Sequence, residues 1–139
     1  MPQLSSILLV DDDTTTNFLN QTLIQRMSVA AHLQVAENGA EALQALHQTC
    51  EPLSPRCPDL ILLDMKMPVM NGIEFLEAYA QLPLARQRGV GIVMLTTSLL
   101  PRDLERVQQL PVAGALNKPL TKEKLQAVVA AHFGAEPVG

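Results

Sequence analysis

Residues 60–64 read Leu-Ile-Leu-Leu-Asp. Four consecutive apolar residues without polar alternation describe a strand covered on both faces, the mark of a parallel sheet in an α/β domain. Three further runs repeat the pattern. Ile7-Leu8-Leu9-Val10 ends on Asp11-Asp12-Asp13, Ile92-Val93-Met94-Leu95 ends on Thr96-Thr97-Ser98, and Ala113-Gly114-Ala115-Leu116 ends on Asn117-Lys118-Pro119. In an open parallel sheet the carboxyl ends of the strands border the ligand crevice. Side chains some fifty positions apart are therefore expected at one spot, where carboxylates, a hydroxyl and an ammonium would form a site for a divalent cation and a phosphoryl group.

Outward from these runs, strand and helix signals alternate five times. The predicted strands are 6–10, 32–36, 59–63, 90–95 and 112–116, and the predicted helices 14–28, 38–48, 71–81, 101–109 and 121–133. Asn38 with Glu41, and Asn71 with Glu74, have capping-box spacing. Thr121 suits the cap of the last helix, Pro101 the first turn of the helix before it, and Asp13 the cap of the first. The Pro-rich connection 49–58 and the connection 82–89 both lead from helix to strand, so they are expected at the rim away from the acids, with Arg86 and Arg88 solvated. Residues 134–139 read as a frayed tail. Cys50 and Cys57 flank the first connection; they read as two free thiols, with a redox clip across the loop as the alternative.

Composition narrows the classes of function. A chain of 139 residues suits one domain, with its core over about 5–133. Hydrophobic residues form 47 % and charged residues 17 %, which argues for a folded chain. The net charge of -4 supplies no basic stripe for nucleic acid. No apolar stretch approaches the roughly 20 residues of a membrane span. Residues 1–6 show no signal-peptide pattern, so a cytoplasmic location is expected.

Three carboxylates in one crevice repel each other unless a cation sits among them. Oxygen-only donors from Asp11, Asp12 and Asp64 suit Mg²⁺. A carboxylate nucleophile beside such a cation can form an aspartyl phosphate. Lys118 and the Thr96 hydroxyl could then stabilise the charge on the phosphoryl oxygens. Taken singly, each residue has a plain structural reading: an acidic helix cap, a turn aspartate, a strand-end hydroxyl, a solvated lysine.

The blocks ILLVDDD, LILLDMKMPVMNG, IVMLTTS and NKPL resemble the signature of the receiver domain of two-component response regulators, over roughly residues 5–133. The resemblance implies a flavodoxin-like, doubly wound, five-stranded parallel sheet of order 2-1-3-4-5 with five helices; a receiver is among the known examples of that order. It implies a single-domain phosphoacceptor without an output domain, turning over no substrate beyond its own phosphorylation and dephosphorylation. Asp64 resembles the phosphoacceptor, and Asp12 and Asp11 the carboxylates that hold Mg²⁺ directly and through water. The backbone carbonyl of Lys66 corresponds to a further metal ligand. Thr96 and Lys118 correspond to the hydroxyl and ammonium that meet the phosphoryl group, and Lys118-Pro119 to a cis bond. The implied donor is a histidine kinase or histidine phosphotransfer protein. The downstream protein is open, and a monomer or weak dimer is expected, with a partner face built from the last strand and last two helices; the spacing of Leu104, Val107 and Leu110 fits that face and the core equally.

The chain departs from that pattern at Ala115, where the family usually carries an aromatic ring that reports phosphorylation, and at Thr97, whose branched side chain could slow loss of the phosphoryl group. Ala115 implies that signalling runs through residues 97–100 without a rotating ring, or that phosphate is conducted with little conformational change. Two rival readings stay open. One is a pseudo-receiver that only binds partners. The other is a haloacid-dehalogenase-like phosphatase, whose Asp-x-Asp-x-Thr start would be Asp11, Asp13 and Thr15, with Asp11 as nucleophile and Asp13 as acid–base.

Overall fold

A computed structural model describes residues 4–50, 56–82, 90–96, 105, 109 and 112–132. Strand β1 (Leu4–Val10) leads to α1 (Thr14–Met27), β2 (Ala30–Ala36) to α2 (Gly39–Cys50) and β3 (Leu60–Asp64) to α3 (Gly72–Ala80); β4 (Gly91–Thr96), β5 (Gly114–Asn117) and α4 (Lys122–His132) follow. The five strands form one parallel sheet in the order β2-β1-β3-β4-β5, as the resemblance implies. Each described element lies within two residues or so of its expected bounds. The expected helix 101–109, the residues 97–100 after β4, Leu104, Val107 and Leu110, Arg86 and Arg88, and the tail lie outside the described residues, Glu105 and Gln109 excepted.

All five residues of β3 are buried because apolar layers cover both faces of the strand. On one face Leu8, Val10, Ile61, Leu63, Ile92 and Met94 pack against α2 and α3 through Ala42, Leu46, Phe75, Leu76 and Tyr79. On the other, Ile7, Leu9, Leu60, Leu62, Val93 and Leu95 meet Ile24 of α1 and Leu125, Val128 and Val129 of α4. Each fully buried aliphatic side chain contributes about 1.5–3 kcal/mol, so the two layers dominate stability. Register brings the strand ends level: Val10 pairs with Leu63, Asp64 with Leu95, and Thr96 with Asn117. Among the described residues no helix is long and apolar enough to cross a membrane.

The helix starts follow local chemistry. Asp13 caps α1, accepting from the Thr15 N–H and the Thr16 hydroxyl. Asn71 and Glu74 form the expected capping box on α3. At α2 the Asn38 side chain accepts from the Glu41 N–H, but the Glu41 carboxylate returns to the Glu37 N–H, one residue earlier than a box requires. The Thr121 hydroxyl accepts from the Lys124 N–H at the start of α4.

The reading of Cys50 and Cys57 as free thiols is overturned: they form a disulfide. Helix α2 runs two residues past its expected end, and Cys50 continues its buried stripe of Ala42 and Leu46 at fourfold spacing. That stripe delivers Cys50 to the segment entering β3, with Cα atoms 4.8 Å apart.

Candidate functional site

Asp11 is the residue after β1, Asp64 the last of β3, Thr96 the last of β4, and Lys118 the residue after β5. The sheet thus puts all four at its carboxyl rim. Carboxylate oxygens of Asp11, Asp12 and Asp64 lie within 4.8 Å of one another. The Lys118 ammonium bridges two of them, at 2.8 Å from Asp11 Oδ2 and 3.1 Å from Asp64 Oδ1. Asp11 and Asp64 are buried, while Asp12 faces solvent. The donors are oxygens, two sunk and one open to water, which fits a hard cation that keeps part of its hydration shell. Asp11, Asp12 and Asp64 are therefore the side chains able to hold Mg²⁺.

Electrostatics set the resting state of this cluster. Burial raises the Asp64 carboxyl above its ordinary value, Lys118 pulls it back, and the neighbouring Asp11 pushes it up again. Burial works against the Lys118 charge, yet its hydrogen bonds to Asp11 and Asp64 outweigh that and hold its pKa above normal. The site therefore keeps its ammonium, and one positive charge is shared between two buried carboxylates.

Thr96 is buried at the end of β4, and its carbonyl accepts the Lys118 N–H at 2.8 Å. The Lys118-Pro119 bond is cis. Lys66 is exposed in the loop after Asp64. That loop is held by a close approach: the Gly72 N–H donates to Met65 O, and a Cβ at Gly72 would fall 2.6 Å from Asp64 O. Only glycine fits there. Asp13 stands apart from the cluster in role, because its carboxylate is engaged by the α1 cap; the Thr16 hydrogen bond above all holds its pKa below the ordinary value. An acid held ionised in this way is a poor proton donor, which weighs against the phosphatase reading.

Two supporting residues escape a reading of the sequence. Asn17 is buried on α1, and its Nδ2 donates to the Asp11 carbonyl at 2.8 Å, pinning the acidic loop from below. Lys124 on α4 donates to the carbonyls of Asn117 and Pro119, on either side of Lys118. The patterning of α1 holds a signal for the first. Asn17 and Asn20 face inward at helical spacing while Phe18 and Leu19 are 65 % and 59 % exposed, so the first half of α1 is inverted, polar inside and apolar outside. Ala115 is exposed on β5 opposite Met94; Thr97 lies outside the described residues.

The fold and the acidic rim define a flavodoxin-like α/β domain with its crevice at the carboxyl ends of the strands. Within that class, the chain belongs to the response regulator receiver domain family, which matches residues 7–130. It is similar to the two-component response regulator ORR41 of Oryza sativa subsp. japonica, 30 % identical over 128 residues that cover 89 % of this chain and 91 % of that protein. It is also similar to a segment of the sensor protein GacS of Pseudomonas syringae pv. syringae, 32 % identical over 133 residues, 92 % of this chain but 14 % of that protein. Among solved structures, a two-component response regulator from Cytophaga hutchinsonii superimposes with a TM-score of 0.82 at 29 % identity, covering 94 % of this chain and 98 % of that one.

Proposed function

We propose that this receiver accepts a phosphoryl group on a carboxylate oxygen of Asp64, from the phosphohistidine of a histidine kinase or histidine phosphotransfer protein, with Mg²⁺ required. The observation that carries the reading is the Lys118 ammonium shared between Asp11 and Asp64 beside the solvent-facing Asp12. In the transfer, an Asp64 oxygen forms the new P–O bond as the P–N bond to imidazole breaks, and the histidine nitrogen leaves with the bonding pair. Mg²⁺ held by Asp11, Asp12, Asp64 and the Lys66 carbonyl supplies charge neutralisation for the phosphoryl oxygens. Lys118 is already within contact distance of Asp64 and pairs with the incoming group; the Thr96 hydroxyl contributes a further hydrogen bond. Beyond its own phosphorylation and hydrolysis the protein turns over no substrate, and it works in the cytoplasm.

A protein donor suits the surroundings. The exposed Phe18 and Leu19 give it an apolar foothold one helical turn from the acidic loop. A cleft of about 180 Å³ between α1 and the Lys118-Pro119 turn, lined by Thr16, Leu19, Leu95 and Leu120 among others, continues that surface.

Phosphorylation by acetyl phosphate in Mg²⁺, followed by mass mapping, tests the reading. A phosphoryl group on Asp64, absent without Mg²⁺ and absent in Asp64→Asn, is expected. Modification of Asp11 instead would favour the phosphatase. No adduct under any condition would favour the pseudo-receiver.

A further inference from the structure

The Cys50–Cys57 disulfide closes a ring that passes through the proposed phosphoacceptor. From Cys57 the chain enters β3, reaches Asp64, and turns through the loop to Met70. There the Gly39 N–H donates to Met70 O at 2.9 Å. Helix α2 then runs back from Gly39 to Cys50, about 18 Å at 1.5 Å per residue, and the disulfide returns to Cys57. Every link in this circuit is covalent except the one between Gly39 and Met70, and that link is tight: a Cβ on Gly39 would fall 2.7 Å from Met70 Cγ.

We propose that Cys50 and Cys57 are a redox modification site that sets how firmly the loop after Asp64 is held, with α2 as the rigid link. Oxidation takes one hydrogen from each thiol and joins the sulfurs. A small-molecule disulfide accepts the two electrons and two protons and leaves as two thiols. A dithiol reverses the exchange, itself becoming a disulfide. Both cysteines are buried, Cys57 completely, in the apolar layer that also holds Ala42, Leu46, Leu63 and Met65. Reduction leaves two thiols that must separate to van der Waals contact inside close-packed surroundings, so the end of α2 is displaced. With no free space at Gly39, the helix passes that displacement to Met70. Burial also slows thiolate attack, so the oxidised and reduced proteins can each be prepared and compared.

The test uses the full chain treated with oxidised glutathione or with dithiothreitol, beside a Cys50→Ala/Cys57→Ala double variant. Thiol counting after denaturation should find no free thiol in the oxidised protein. Amide hydrogen exchange over residues 65–72, without metal, should speed up about fivefold on reduction of the wild type and not respond to dithiothreitol in the double variant. Mg²⁺ affinity should weaken by a similar factor; this readout alone rests on the function proposed above. Two free thiols after oxidation, or equal exchange in both redox forms, would overturn the inference. Failure to bind Mg²⁺ in either form would instead overturn the proposed function, while the metal-free exchange still decides the redox coupling.

Discussion

The two rims of the sheet are built on opposite plans. At the carboxyl rim, three carboxylates face one ammonium, and the cluster is held by ion pairs, one buried asparagine and a loop that tolerates no side chain at Gly72. At the amino rim the ties are redundant. The disulfide joins α2 to the entrance of β3, the Asp59 carboxylate accepts the Ser5 N–H at 2.6 Å, and Asp59 exchanges backbone hydrogen bonds with both neighbouring strands, donating to Ser6 O and accepting from Gly91. One rim stores electrostatic tension and the other supplies the connections that let the fold bear it. Local rules are broken where chemistry is proposed and obeyed where the structure needs only to hold.

Substitutions can break this contrast. The largest effect belongs to Asp64→Asn, which removes the proposed acceptor oxygen; phosphoryl incorporation read by intact mass should vanish entirely. Lys118→Ala should slow phosphorylation by acetyl phosphate about 10²-fold, as expected when a preorganised charge is removed from developing negative oxygens. A retained rate would place the ammonium outside the chemistry. Gly72→Ala drives a Cβ into the Asp64 carbonyl and should cost about 2–3 kcal/mol in urea unfolding, with an unchanged dependence on denaturant concentration. Asn17→Ala frees the buried Asp11 carbonyl and should cost about 1–2 kcal/mol, with a loss of Mg²⁺ affinity that Asp59→Ala, which cuts the Ser5 tie at the amino rim, does not produce.

The smallest effect depends on pH. Because burial raises the folded pKa of Asp64, its contribution to stability is fully present below the ordinary value of 3.8 and is lost as pH rises through the raised value. Asp64→Asn escapes that loss. It should therefore exceed the wild type in stability at neutral pH, with the gap closing as the solution is acidified toward 3.8. A gap that widens on acidification would show that Lys118, rather than burial, governs this carboxyl.

The same contrast explains what the sequence discloses. Strands β1, β3 and β4 are legible because the runs 7–10, 60–63 and 92–95 are wholly apolar and leave no polar face, and a parallel sheet then fixes where Asp11, Asp64 and Thr96 end up. The pairing of Lys118 with Asp11 spans 107 positions and becomes visible only once β5 is laid beside β4. The disulfide was hidden for a different reason. The six residues between the cysteines, two of them proline, describe a loop, and nothing local says that α2 persists to Cys50 with its sulfur turned inward. Asn17 looked like any asparagine on a helix; its importance lies in facing inward where a leucine would ordinarily sit, next to the exposed Phe18.

One detail of the loop after Asp64 has a practical side. Met70 donates its N–H to Pro68 O at 2.7 Å, closing a three-residue turn around Val69, which stands 82 % exposed at a φ of 67°. A β-branched residue is poorly suited to that conformation, so an unbranched replacement carries no added steric burden. The chain contains no tryptophan. An indole grafted at this position would be its single intrinsic fluorophore of that kind, mounted in water five residues beyond the proposed acceptor, and would turn the arrival of a phosphoryl group there into an optical signal.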